Sequence, residues 1–224
     1  MNSPVVLVVG AGPGVGGSVA RRFGRDGYDA ALVGLDGGVL EELAGSLRSG
    51  GVDAQWRAVD VTDAQAFGAA VTNLGEEAGR IDVLHFNPSA FRQKSPLELT
   101  AGELAADVTL GVGALLTALQ AARPFMSGGG RVTATGSMAA DKPWNEAASL
   151  GVQKAGLRNL MHSIDTTLKP DGIRAVSVTV RGTLAREGAF TPDRVAEAIF
   201  AAAAQAEDAW QTEVPYTGAE LGQA

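Results

Sequence analysis

Val5-Val6-Leu7-Val8-Val9-Gly10-Ala11-Gly12-Pro13-Gly14-Val15-Gly16-Gly17 decides how this chain is read. Its first five residues form an unbroken aliphatic run with no polar alternation. Such a run marks a strand covered on both faces, as in parallel sheets. The glycines that follow let the main chain turn sharply and let another molecule approach it closely. A helical stretch from Val15 to Arg25 comes next. Strand, glycine turn and helix N-terminus in this order set free N–H groups and a positive dipole end beside the turn, which is a seat for phosphate.

Outward from this stretch, strand-like and helix-like segments alternate along the chain. Strands are expected at residues 30–33, 56–59, 81–86, 131–135, 173–180 and 212–216. Helices are expected at 40–47, 63–78, 100–126, 147–168 and 192–206. Leu40, Leu43, Ala44 and Leu47 recur at helical spacing, and Asp63 stands where a helix cap belongs. Helices of this length between strands mean βαβ units. Right-handed crossovers then give an α/β, single-domain Rossmann fold: a doubly wound, seven-stranded parallel sheet with helices on both faces. No linker or repeat breaks the pattern, so residues 1–224 read as one domain.

The chain has no cysteine, 2 histidines and 2 tyrosines. Thiol nucleophiles, disulfides, cysteine zinc sites and iron–sulfur clusters are excluded, and no metal site is expected. Charged residues make up 19%, below the average of about 25%. Glycine supplies 30 of the 224 residues, well above the usual share of about 7%. The net charge of −7 argues against a nucleic-acid partner. The apolar stretches fall short of the ~20 residues of a membrane span, so no membrane association is expected. Met1 to Val9 carries no positive leader region, which points to the cytoplasm.

The glycine spacing Gly10-x-x-x-Gly14-x-Gly16 resembles the short-chain dehydrogenase/reductase family rather than the G-x-G-x-x-G dehydrogenases. Asp60-Val61, after the third strand, resembles the family's acidic residue near the adenine. Phe86-Asn87-Pro88-Ser89 stands in the place of its N-N-A-G segment, and Arg181-Gly182 in the place of its P-G ending. The resemblance spans essentially the whole chain. It implies a bound NAD or NADP, with Gly10, Gly12, Gly14, Val15, Gly16, Asp36, Asp60, Val61, Asn87, Lys154 and Arg181 as cofactor residues. Gly34 stands where NAD-dependent members carry an acid, and Leu35 where NADP-dependent members often carry arginine. Asp36 follows one step later and either reaches the ribose or caps the next helix. The choice between the two dinucleotides stays open.

In the family, hydride passes between nicotinamide C4 and a carbonyl, and a tyrosine gives the proton. A lysine four residues later lowers the tyrosine's pKa, since i and i+4 share a helix face. The lysine here is Lys154, and four residues before it stands Leu150. Ser137, thirteen residues before Leu150, keeps the place of the catalytic serine. The family's helix asparagine falls at Thr109. No tyrosine lies between Tyr28 and Tyr216. The resemblance therefore leaves Ser137 and Lys154 as the catalytic pair, with Ser137, Trp144, Leu150 and Arg181 as pocket residues. Asp141, Lys142 and Glu146 lie on a loop that borders the substrate in this fold. Arg181 either clamps an anionic group or is a surface charge. His85 lies inside a strand, pointing to the core or the adenine; His162 lies mid-helix, structural or facing solvent.

Only nine residues separate Gly182 from Pro192, where family members insert a substrate lid of some tens of residues. The expected function is an atypical NAD(P)-dependent reductase or dehydrogenase. Its substrate would be a small carbonyl, imine or alkene, and its proton source would not be a tyrosine. The alternatives are a non-redox cyclase, dehydratase or isomerase on the same scaffold, and a non-catalytic dinucleotide-binding protein. Small residues on the helices near 100–126 and 147–168 suit close packing between copies, so a homodimer or homotetramer is expected.

Overall fold

The computed structural model describes residues 3–219, so Met1, the first residue of the segment read for a leader, lies outside them. Seven parallel strands form one sheet: β1 Val5–Val9, β2 Asp29–Gly34, β3 Ala54–Ala58, β4 Val83–Phe86, β5 Arg131–Ser137, β6 Arg174–Val180 and β7 Glu213–Tyr216. Their order across the sheet is β3-β2-β1-β4-β5-β6-β7. The order reverses between β1 and β4, the place where doubly wound sheets open a ligand crevice.

The two-residue period of β1 divides the core. Val6 and Val8 face α1 Val15–Arg25, α2 Gly37–Ser49 and α7 Pro192–Ala203, with Phe23, Leu40 and Ile199 in the same cluster. Leu7 and Val9 face α3 Ala64–Ala78, α5 Ala114–Ala122 and α6 Ala148–Leu168, with Phe67, Leu115 and Met161. Caps set several helix starts. Asp63 accepts from Ala66 N–H, Asp36 from Gly38 and Val39 N–H, and Thr191 from Arg194 N–H. The Asp36 cap explains why α2 begins before the periodic leucines do.

Two expectations are corrected. The single helix at 100–126 is instead α4 Ala101–Val108, a π-turn at Thr109–Gly113, α5, and a 3₁₀ turn at Arg123–Phe125. Gly111 packs so closely on α6 that a Cβ there would lie 2.4 Å from Gln153 Oε1. A π-turn widens the helix locally; such turns are rare and occur mostly as single turns inside longer α-helices. The apolar lengths also need revision: Ala101–Phe125 is long and apolar enough, by length and composition, to cross a membrane. Its Ala114, Leu115, Ala118 and Ala122 belong to the core, the pattern of a helix packed on a sheet.

Candidate active site

The C-terminal ends of β1, β4, β5 and β6 open on a cleft of about 440 Å³ lined by Gly10, Val15, Asn87, Pro88, Ser89, Thr135, Gly136, Ser137, Lys154, Val180, Gly182 and Leu184. A second cleft of similar size lies at the other end of the strands, between Asp29, Asp53 and Glu77. Ligands of doubly wound sheets bind at the carboxyl ends, which selects the first.

The glycine loop is built to receive a phosphate. Gly10 turns with φ +80°, and a Cβ on it would press on Pro88 at 3.1 Å. Gly10 and Ala11 N–H both donate to Val33 C=O at 2.9 Å, which ties the loop to β2. A Cβ on Gly16 would lie 2.4 Å from Gly10 O, so the loop and α1 pack backbone on backbone. Gly12 and Gly14 face open space. The N-terminus of α1 has no side-chain cap and no acid in its first turn, so its N–H groups stay available to an anion.

The adenosine side is less equipped. A Cβ at Gly34 would lie 2.8 Å from Ala11 O, so no carboxylate fits there. Leu35 is 77% exposed. Asp36 Oδ1 is engaged by two N–H groups of α2, at 2.8 and 3.1 Å, so its observed role is the cap. Asp60 accepts from Thr62 N–H and Oγ1, which holds its carboxyl below the usual range. Val61 is half-buried beside it.

At the other end of the cleft, Lys154 is 6% exposed and its Nζ donates to Thr135 C=O at 2.9 Å. Burial pushes its pKa down to about 8. Ser137 Oγ accepts from Ala139 N–H at 3.2 Å, which leaves its own hydroxyl hydrogen free to donate into the cleft. His85 is fully buried. Its Nδ1 meets Thr133 Oγ1 at 2.9 Å and its Nε2 meets Thr135 Oγ1 at 3.3 Å. Thr135 Oγ1 donates to Asn87 Oδ1 at 2.8 Å, and Asn87 Nδ2 donates to Gly10 C=O at 3.2 Å. Since Thr135 spends its hydrogen on Asn87, Nε2 carries the imidazole proton and Thr133 donates to Nδ1. Burial, helped by the Lys154 charge, lowers the His85 pKa to about 3, so the ring is neutral. This one-way chain runs from the core to the glycine loop.

The cleft thus brings together Gly10, Val15, Asn87, Ser137 and Lys154. Trp144, Leu150 and Arg181 are not among its walls. Trp144 stacks on Phe91 with ring centroids 5.9 Å apart and is 45% exposed. Leu150 is half-buried on α6. Arg181 lies 3.3 Å from Asp141, which also pairs with Arg158. The Arg158 guanidinium holds the Asp141 carboxyl below its usual range, so Asp141 is ionised at neutral pH and has no proton to give. Thr109 turns its hydroxyl onto Ala105 C=O, away from the cleft. His162 is exposed on α6. The short stretch after β6 is tied down: Tyr216 Oη donates to Ala189 C=O at 2.7 Å, and the Phe190 ring packs edge-on to Tyr216. Sequence reasoning missed Thr135, although it stands two residues before Ser137 on one strand face. It also missed Gln153, whose partners are distant in sequence. Among the described residues no group of acids and histidines is arranged to hold a metal.

A phosphate seat at the crevice of a doubly wound sheet, with a buried lysine and a serine beyond it, defines a dinucleotide-binding oxidoreductase fold. The chain belongs to the short chain dehydrogenase family, whose profile matches residues 4–188. It is 31% identical to the (2S)-[(R)-hydroxy(phenyl)methyl]succinyl-CoA dehydrogenase subunit BbsC of Thauera aromatica, over 83% of this chain and 74% of that protein. It is 27% identical to the L-2,3-butanediol dehydrogenase of Corynebacterium glutamicum, over 81% of this chain and 73% of that one. A short chain dehydrogenase from Burkholderia cenocepacia, solved in complex with NADP, superposes with a TM-score of 0.88 at 25% identity, covering 96% of both chains. Family membership gives the cofactor class, NAD or NADP.

Proposed function

We propose that the chain is an atypical NAD(P)-dependent oxidoreductase, acting as a single dinucleotide-binding domain on a small carbonyl, imine or activated alkene without a tyrosine acid. The observation that carries this reading is Lys154: buried in the cleft with Ser137, it holds a proton whose pKa is about 8. A bound NADH or NADPH supplies the hydride. The α1 N-terminus and Gly12–Gly14 would seat its pyrophosphate, and Lys154 and Asn87 would border its nicotinamide end. Ser137 donates a hydrogen bond to the substrate heteroatom. The Lys154 ammonium, the group nearest neutrality among the cleft's acids, gives the proton and recovers it from water. Asp141 is removed as a donor by its two arginines. An imine places a smaller proton demand on this site than a ketone does.

A second reading is a subunit that binds dinucleotide without turnover. Leu150 in the tyrosine's place favours it, as does the likeness to a chain named as a dehydrogenase subunit. A non-redox activity on the same scaffold is the third. Fluorescence titration with NADH and NADPH, followed by a carbonyl, imine and alkene panel read by loss of nicotinamide absorbance, separates them. Turnover supports the first reading, binding without turnover the second, and absence of binding removes both. We place the protein in the cytoplasm as a homodimer or homotetramer; Leu116 and Val152, 42% and 48% exposed on α5 and α6, offer the apolar contact.

A further inference from the structure

Gln153 precedes Lys154 on α6 and is fully buried. A side-chain amide buried without partners is costly, so its partners define its purpose. Oε1 accepts from Ala90 N–H at 3.0 Å, and Nε2 donates to Ala90 C=O at 3.2 Å. Nε2 also donates to Ser149 C=O at 3.2 Å. The Ala90 N–H meets an acceptor only if the amide stands this way round, so its orientation is fixed. The paired bonds grip one residue's main chain as a neighbouring strand would. Against the other side of Oε1 lies Gly111 of the π-turn, where a Cβ would sit 2.4 Å away. One amide therefore joins α6, the π-turn and the loop after β4.

That loop is a wall of the cleft, since Pro88 and Ser89 line it immediately before Ala90. Further along, Arg92 grips the buried Asp107 carboxylate at 2.9 and 3.0 Å, and Ala148 N–H donates to Lys94 C=O at 3.1 Å. Those contacts anchor the loop's far end. Among the described residues, Gln153 supplies both hydrogen bonds of the Ala90 main chain. Successive helix positions point about 100° apart, so one turn of α6 sends Lys154 to the cleft and Gln153 to its wall.

We propose that Gln153 is a positioning residue that sets the gap between Lys154 and the Pro88–Ser89 wall, and with it the fit of the substrate beside Ser137. This rests on the reading of the cleft as the reaction site. Gln153→Glu keeps the shape and makes the grip titratable. Protonated, the acid retains an acceptor and one donor. Ionised, it still accepts from Ala90 N–H but loses its donor and turns a charge on the Ala90 and Ser149 carbonyl oxygens, whose repulsion loosens the hold on Ala90. Burial and those oxygens raise its pKa above the usual ~4.3, so the loosening falls in an accessible range.

The test compares wild type with Gln153→Glu across about pH 5 to 8 by steady-state kinetics, NADPH titration and hydrogen exchange at the Ala90 amide. The expected result is a substrate KM for the variant, relative to wild type, that climbs about tenfold with pH while kcat and NADPH affinity stay within about threefold. Ala90 protection, corrected for the intrinsic rise of exchange with pH and referred to wild type, falls over the same interval. A relative KM flat across the range, or a loss confined to kcat, overturns the proposal. If wild type binds NADPH yet turns nothing over, the functional reading has failed, and Ala90 exchange in the variant still decides the positioning role. If Gln153→Glu does not fold, Gly111→Ala replaces it by pressing a methyl on Oε1. It is expected to raise KM at every pH, and an unchanged KM overturns the proposal.

Discussion

Replacing Lys154 by methionine should make the nucleotide-free protein more stable at neutral pH and flatten part of its pH dependence. The ammonium is 6% exposed, and among the described residues no carboxylate pairs with it; its bond is to the neutral Thr135 carbonyl. Burial lowers its pKa from 10.5 to about 8. One pKa unit is about 1.4 kcal/mol, so this shift withholds on the order of 3 kcal/mol from the folded state. The sign follows from proton counting. Between pH 8 and 10.5 the unfolded chain keeps the lysine proton and the folded chain has released it. Stability therefore rises with pH across that window, and below it the penalty is full and constant. Methionine removes the penalty but leaves the Thr135 carbonyl short of one donor, which costs roughly 1–2 kcal/mol. The net gain below pH 8 is about 1–2 kcal/mol, or about 2–8 °C in Tm for a chain of this size. Thermal unfolding of both proteins over about pH 6 to 10.5, read by circular dichroism, measures it. Every other side chain is common to both proteins, so the difference isolates residue 154. Parallel curves, or a variant less stable at neutral pH, would refute the reasoning and show that the ammonium is paired or hydrated. A buried charge at such a cost fits the proposed role of Lys154 in the chemistry better than a role in folding.

Gly14→Ala and Gly16→Ala should separate binding from folding. The first adds a methyl to open space and should hold Tm within about 2 °C while weakening nucleotide binding at least about tenfold; the second collides with Gly10 O and should cost about 2 kcal/mol or more in chemical denaturation. Equal effects of the two on both measurements would show that the loop is only structural. Leu150→Tyr restores a phenol four residues before Lys154 on the same helix face and should raise ketone reduction about tenfold or more in kcat/KM. Tight NADPH binding with no gain would mean that the α6 face does not present that position to the substrate. Tyr216→Phe loses the bond to Ala189 and should lower Tm by about 2–4 °C and speed proteolysis within residues 183–191. An unchanged cleavage rate would free Tyr216 from its anchoring role.

The fold was legible because its signals are local. Val5–Val9 has no polar face, the glycines follow it directly, and Asp63 and Thr191 cap helices one residue downstream. The candidate site was legible where one strand or helix carries the residues, as for Ser137 and Lys154, which line one cleft. It was illegible where the arrangement depends on partners far along the chain. The break in the long helix comes with Gln153 pressing on Gly111 from 42 residues away, which no helical periodicity records. Asp36 suited either a ribose or a helix cap, and in the structure its Oδ1 makes the cap. The sequence leaves Arg181 as an anion clamp or a surface charge and sets Asp141 on a loop bordering the substrate; in the structure the two pair at 3.3 Å.

The tied-down loop between β6 and α7 has a kinetic consequence. Ala189 and Phe190 are fastened to Tyr216. A border held in this way would add no opening step to the traffic of an oxidoreductase built on this cleft. The slow event of the proposed turnover would then fall on chemistry or on nucleotide dissociation rather than on gating. Water would share the open cleft, so a reactive intermediate would meet it before escaping. Such a site favours substrates whose products survive in water and disfavours those that need a sealed chamber.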